Sequence, residues 1–151
     1  MAFKYQFETI LNLKARMEDM KKGELKLAID KLEKEKEKLD QLIKDKEMQY
    51  EIVKEKQKVK FTAEDLRTFN NYINALNKKI DYQTNIVEKE EKKVDKIREE
   101  LIKASKEKRM FEKLKEKKLE EYMKEYYAGE QQVVDNLVSF KYNSNGGASD
   151  E

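Results

Sequence analysis

The stretch Val59-Lys60-Phe61-Thr62-Ala63-Glu64-Asp65-Leu66 decides the fold, because it is the one convincing turn in a chain that otherwise has a continuous helical pattern. Thr62 is a typical N-cap residue, and Asp65 can complete a capping box by accepting a hydrogen bond from the Thr62 amide. Phe61 and Leu66 then occupy the two positions of a hydrophobic staple. The stretch therefore predicts that one helix ends before Phe61 and a second begins after Thr62.

The composition on both sides of this turn favours long helices. The chain has 151 residues, of which 44% are charged, and its mean hydropathy is −1.05. Ala, Glu, Lys, Leu and Arg dominate, as is typical of coiled coils, and no proline is present to force a kink. The net charge is only +2, with the two signs interleaved, which does not indicate general nucleic-acid binding.

The composition also argues against an enzyme. There is no cysteine and no histidine, which removes thiolate chemistry, cysteine–zinc sites and the commonest general base. We expect carboxylate pairs such as Glu90 and Glu91 to lie on solvated helical faces without a pocket to shift their pKa. We therefore expect no catalytic residue, no cofactor and no metal site. With no apolar run near the length of a membrane span and no signal-peptide core, we expect a cytoplasmic protein without membrane insertion.

Apolar residues recur at three- and four-residue spacing on both sides of the turn, in a stripe narrow enough to be a coiled-coil seam. The stripes consist of Leu25, Ala28, Leu32, Leu39, Leu42 and Val53, then of Leu66, Phe69, Ile73, Leu76, Ile80, Val87, Val94, Ile97, Leu101, Ala104 and Phe111. Laid against each other, they pair residue i with about residue 122 − i, so that Leu25 meets Ile97. A slip by one heptad is the main alternative register.

These patterns predict an all-α fold in which two long helices form an antiparallel coiled-coil hairpin with a C-terminal helical overhang. The expected boundaries are a single domain over residues 1–142, with a helix over about 3–58, a turn over about 59–62 and a helix over about 63–140, and a disordered tail over 143–151. In this register the first helix runs out while the second continues for about 20 residues, or about 30 Å.

The overhang is the best candidate for a binding surface, because a lone helix cannot bury its own apolar side chains. The apolar positions on it are Tyr122, Tyr126, Val133, Leu137 and Phe140. They need either a different protein or a second copy of this chain.

Two other segments have both a structural and a functional interpretation. The aromatic start with Phe3, Tyr5 and Phe7 is expected to pack against Phe111, Leu114 and Leu119. The segment 103–118 holds eight cations against three glutamates. It is either a solvated face or an electrostatic footprint for an acidic protein or lipid headgroups.

Three segments together resemble the flagellar FliJ protein family. The first is an aromatic start that runs directly into the helix, Phe3-Lys4-Tyr5-Gln6-Phe7-Glu8-Thr9-Ile10-Leu11. The second follows the turn, Tyr72-Ile73-Asn74-Ala75-Leu76-Asn77-Lys78-Lys79-Ile80-Asp81-Tyr82-Gln83. The third is Glu107-Lys108-Arg109-Met110-Phe111-Glu112-Lys113-Leu114-Lys115-Glu116-Lys117, followed by Tyr122, Glu125 and Glu130-Gln131-Gln132-Val133-Val134-Asp135. In this order they cover nearly the whole chain.

The resemblance implies a non-enzymatic component of the flagellar type III export apparatus, peripheral at the cytoplasmic face of the cell membrane. It implies a stalk in the hexameric export ATPase, which promotes ring assembly, contacts the large membrane subunit of the export gate and escorts export chaperones. By position, it implies gate-facing roles for Leu42, Tyr72, Leu76 and Gln83 and an ATPase-facing terminal end. A self-associating scaffold, and a binder of nucleic acid or anionic lipid, are the alternatives from other classes.

Overall fold

The computed structural model describes residues 2–146, and within them the chain forms two α-helices and no strand. Helix α1 spans Glu8–Gln57 and helix α2 spans Ala63–Gly146. The two helices pack against each other, which confirms the predicted all-α helical hairpin. Helix α2 continues six residues beyond the predicted end at 140, and the remainder of the predicted tail, residues 147–151, lies outside the described residues.

The turn between the helices is closed by the predicted capping box. The Thr62 amide donates to Asp65 Oδ2 at 3.1 Å, and the Asp65 amide donates to Thr62 Oγ1 at 3.1 Å. The Leu66 amide donates to the Thr62 carbonyl oxygen at 3.1 Å, so Thr62 is the N-cap of α2. Two otherwise unsatisfied donors at the start of α2 are thus paired, and the second helix begins where the sequence predicts.

The capping box should make the turn sensitive to acid. The hydrogen bond from the Thr62 amide is the main cause that holds the pKa of Asp65 below its usual value. Because the pKa of Asp65 is lower in the folded state than in the unfolded state, the ionised carboxylate stabilises the fold at every pH above the unfolded-state pKa. This stabilisation is lost as the pH falls through the folded-state pKa. We expect Asp65→Asn to destabilise the protein at pH 7 and the difference from wild type to shrink towards about pH 2. Urea unfolding at both pH values measures this, and a difference that does not change with pH would contradict the assignment.

The described residues form two compact units, of which the first is Glu18–Ala104. Its centre is a cluster of Leu32, Val87 and Val94, with Leu25, Ala28, Ile29 and Leu39 packed against it. Cross-helix partners such as Lys21 with Glu100 at 2.8 Å lie within four residues of the positions that the predicted pairing gives. This register excludes the one-heptad slip within the unit. That residues 1–142 form a single domain stays a prediction.

Polar residues interrupt the seam of this unit, and two of the buried ones, Gln83 and Glu90, have partners on the opposite helix. Gln83 is buried and donates through Nε2 to the carbonyl oxygen of Glu35 at 2.9 Å and to its Oε2 at 2.6 Å. This hydrogen bond is the main reason that the pKa of Glu35 is lowered. Glu90, which is predicted from the sequence to lie on a solvated face, is instead buried in the seam because it lies between Lys31 and Lys93, with its Oε1 3.4 and 3.5 Å from the two Nζ atoms. Such polar layers favour one register over its neighbours, because a slip would leave them without partners.

The second compact unit combines the described residues on the N-terminal side of Glu18 with those on the C-terminal side of Ala104. Helix α1 begins here at Glu8, later than the predicted start at about 3. The reason is packing: in a helix Tyr5 would point about 200° away from Phe3. The non-helical segment 2–7 instead buries Tyr5 and half-buries both Phe3 and Phe7.

Neither α1 nor α2, as far as residues 2–146 extend, contains a segment long and apolar enough to cross a membrane.

Candidate partner-binding site

The N-terminal segment is anchored on α2 by polar and aromatic contacts, of which those with Phe111 are predicted from the sequence and that with Tyr122 is not. The Tyr5 hydroxyl donates to the carbonyl oxygen of Phe111 at 3.0 Å, and Tyr5 is only 8% exposed. The ring centroid of Phe7 lies 6.2 Å from that of Phe111, and the ring centroid of Phe3 lies 5.5 Å from that of Tyr122. The segment is therefore held against α2 by its contacts with Phe111 and Tyr122, next to the part of α2 that has no partner helix. We call these contacts of Phe3, Tyr5 and Phe7 with α2 the N-terminal seat.

Ion pairs extend this seat along α1. Lys14 pairs with Glu107 at 2.9 Å, and Glu8 pairs with Lys115 at 2.9 Å. Both pairs are partly exposed, so each contributes little by itself. On α2 their partners lie one turn to either side of Phe111, so the two pairs bracket the aromatic contact.

Tyr5→Phe tests how firmly the segment is held. Loss of the hydroxyl leaves the Phe111 carbonyl without its side-chain donor, and we expect a decrease of about 1 kcal/mol in the free energy of local opening. Hydrogen exchange of the amides from Tyr5 to Leu11 measures the opening, with Tyr82→Phe as the control because Tyr82 is 70% exposed. Equal exchange in both variants would show that the hydroxyl contributes nothing.

Beyond Tyr122, the free part of α2 carries an apolar surface that is exposed throughout. We call residues 123–142 the overhang. Its apolar side chains are between 37% and 79% exposed: Met123, Tyr126, Tyr127, Val133, Val134, Leu137, Val138, Phe140 and Tyr142. The predicted stripe of Tyr126, Val133 and Leu137 therefore lies on the surface, open to a partner.

The exposed surface is broader than the sequence stripe. A second stripe, Met123, Tyr127, Val134 and Val138, lies beside the first. At 100° per residue the two stripes together span about 140° of the helix circumference, wider than the seam of a two-stranded coiled coil. The sequence interpretation missed the second stripe, although the four-residue steps from Met123 to Tyr127 and from Val134 to Val138 could have revealed it.

The base of the overhang is an aromatic cluster. The rings of Tyr122 and Tyr126 are stacked with centroids 6.5 Å apart, and the ring of Tyr127 meets that of Tyr126 edge-on at 5.8 Å. A hydrogen bond between Tyr126 and Glu130 raises the pKa of the Tyr126 hydroxyl above its usual value. Tyr122 also contacts Phe3 and is half-buried, so it belongs partly to the N-terminal seat rather than wholly to the open surface.

The residues predicted to face the export gate are, for the most part, less accessible than those of the overhang. Leu76 is 4% exposed and Gln83 is buried in the seam, while Leu42 is half-buried and Tyr72 is 45% exposed. Leu76 and Gln83 could touch a partner only if the helices separated there, so they act first by shaping the helix pair. Tyr50, in the same part of the helix pair, is 50% exposed and its ring meets that of Phe69 edge-on. Two further exposed apolar side chains there, which the sequence interpretation did not single out, are Met48 and Ile52.

Comparison with known proteins places these features in a family. No curated protein and no solved structure matches the chain. The family model described as Flagellar FliJ protein matches residues 3–147, which includes the aromatic start, the turn and the overhang. That family is a structural component of the flagellar export apparatus. The chain belongs to the flagellar FliJ protein family.

Proposed function

We propose that this component of the flagellar export apparatus is a non-enzymatic stalk for the hexameric export ATPase, which promotes assembly of the ring. The observation that carries the proposal is the overhang. It is a helix with a broad exposed apolar face and no packing partner along residues 123–142 of the described chain. Such a face loses contact with water only by entering an apolar groove of another molecule.

The second compact unit, which we call the terminal unit, has a form that supports a partner surrounding the overhang. Because the two stripes span about 140° of the helix, a single flat surface would leave one stripe in water. The central pore of an ATPase ring has protein surfaces on several sides of a helix placed inside it. The N-terminal seat, with its bond from Tyr5 to Phe111, keeps the base of the overhang in one orientation.

The further roles, a link to the large membrane subunit of the export gate and an escort of export chaperones, are part of the same proposal. Among the predicted gate-facing residues, Tyr72 has the most accessible side chain. We therefore assign the main contact with the gate to Tyr72 and a smaller contribution to the half-buried Leu42. The buried Leu76 and Gln83 hold the two helices in register. This assignment also implies a position at the cytoplasmic face of the cell membrane.

The test is ATP hydrolysis by the cognate export ATPase, measured with and without this protein, together with electron microscopy of the rings. Stimulated hydrolysis with a larger share of hexamers is the expected result. Unchanged hydrolysis, with a mass that rises with protein concentration in analytical ultracentrifugation, would overturn the stalk proposal in favour of a self-associating scaffold that buries two overhangs against each other.

A further inference from the structure

Charges separate along α2 in the terminal unit, in contrast to the rest of the chain. Residues 105–118 contain seven cations and three glutamates, whereas residues 120–135 contain five carboxylates and one lysine. In the Glu18–Ala104 unit the two signs alternate and nearly cancel. A net charge of +2 for the whole chain therefore hides a strongly basic stretch of one helix.

The cations of this stretch divide into two groups by what they touch. Lys108, Lys115 and Lys118 make ion pairs with Glu112, Glu8 and Glu121. A second group follows one exposed line of the helix at steps of three, four, four and seven residues, and its last member lies beyond the basic stretch, at the start of the overhang. We call this group the cationic row: Lys106, Arg109, Lys113, Lys117 and Lys124. Among the described residues, no member of the row has a carboxylate within 4.0 Å.

The row faces away from the packed side of the helix. Lys113 lies about 200° around the helix axis from Lys115, whose Nζ contacts Glu8 on the packed side. From Lys106 to Lys124 the row is about 27 Å long, and Glu120 is the one acidic residue that shares its line. Its cations can therefore approach an external surface together, without disturbing the N-terminal seat.

The form of the row favours a flat anionic surface over other polyanions. It runs along a convex helix without a groove that would hold an acidic peptide, and no aromatic side chain lies among its members to stack on bases of single-stranded nucleic acid. Four of its five members are lysines, which attract phosphates as point charges rather than by the bidentate geometry of arginine. A row of this kind suits the phosphate headgroups of an anionic membrane.

We propose that the cationic row, Lys106, Arg109, Lys113, Lys117 and Lys124, is a docking surface for anionic phospholipid headgroups. Docking is electrostatic and leaves the helix on the surface of the bilayer, because the apolar side of this segment is occupied by the N-terminal seat. The surface is separate from the overhang stripes, so a molecule held by the membrane through the row can still present its overhang. The proposal does not depend on the ATPase.

Co-sedimentation of the full chain with vesicles tests it. At about 0.05 M salt, we expect binding to vesicles of phosphatidylcholine with about one third phosphatidylglycerol, no binding to pure phosphatidylcholine, and loss of binding at about 0.5 M salt. In the variant Lys106→Gln/Lys113→Gln/Lys117→Gln, the partition coefficient should fall about 100-fold, since each cation at an anionic surface contributes about fivefold.

The matched control is Lys26→Gln/Lys36→Gln/Lys89→Gln, which removes the same charge from exposed lysines outside the terminal unit. It should bind within about threefold of wild type. Equal loss in both variants would overturn the proposal, because overall charge and not the row would then control binding. So would absence of wild-type binding at low salt, or tighter binding to duplex DNA that the row variant abolishes. Circular dichroism of both variants shows that the helices persist.

Discussion

Alanine at Tyr126, Val133 and Leu137 together is expected to abolish stimulation of the export ATPase and to weaken its association by more than about 100-fold. The three side chains form the exposed stripe of the overhang, and apolar anchors buried at an interface each contribute more than about 1 kcal/mol when truncated. Alanine keeps or raises helix propensity, so the overhang itself stays helical. Binding by surface plasmon resonance and hydrolysis rates measure the two effects.

The matched control for this variant is alanine at Leu27, Met48 and Ile102, which are also exposed but lie on paired parts of the helices. It removes comparable apolar area and should leave both association and hydrolysis unchanged. Neither variant should shift the thermal midpoint by more than a few degrees, because the replaced side chains are on the surface. If the control weakens association as much as the overhang variant, the overhang is not the ATPase-binding surface.

Leu32→Ala is expected to give the largest loss of stability. Leu32 is 7% exposed and packs in the cluster with Val87 and Val94, so truncation leaves a cavity in the seam. Such replacements decrease the free energy of unfolding by about 2 to 3 kcal/mol. In a chain of this size that corresponds to a fall of about 8 °C in the thermal midpoint, measured by circular dichroism.

Leu27→Ala provides the comparison for Leu32→Ala, because it makes the same chemical change five residues earlier on a side chain that is 71% exposed. Its effect should stay within about 0.5 kcal/mol. Similar losses in the two variants would mean that the cluster is not a cooperative core. A loss at Leu32 alone would show that a seam only two helices thick still has residues on which folding depends.

The turn and the register illustrate how much local sequence chemistry can predict. Thr62 and Asp65 satisfy each other's amides, a reciprocal arrangement that depends only on residues three positions apart. The pairing of the helices follows from the turn, because a fixed point of reversal and a repeated apolar spacing leave few registers open. Buried Gln83, hydrogen-bonded to Glu35, then favours one of them.

The N-terminal segment shows where local reasoning stops. Its sequence is compatible with a helix from residue 3, yet α1 begins at Glu8 because Tyr5 finds a carbonyl on a residue far along the chain. In the same way, periodicity marks Leu76 and Tyr72 as neighbours on one helix, but whether each is buried or exposed depends on the opposing helix. Leu76 is covered and Tyr72 is not, which decides their suitability for a partner.

The sequence by itself determined the two helices, the position of the turn and the membership of the family, since capping, periodicity and motif order are local or linear properties of the chain. Only the tertiary structure decided which apolar residues are covered, how the first residues pack on α2, and which cations of the basic segment are paired with carboxylates. The physical reason is that burial and ion pairing depend on distances between segments far apart in sequence, and those distances exist only once the helices have packed.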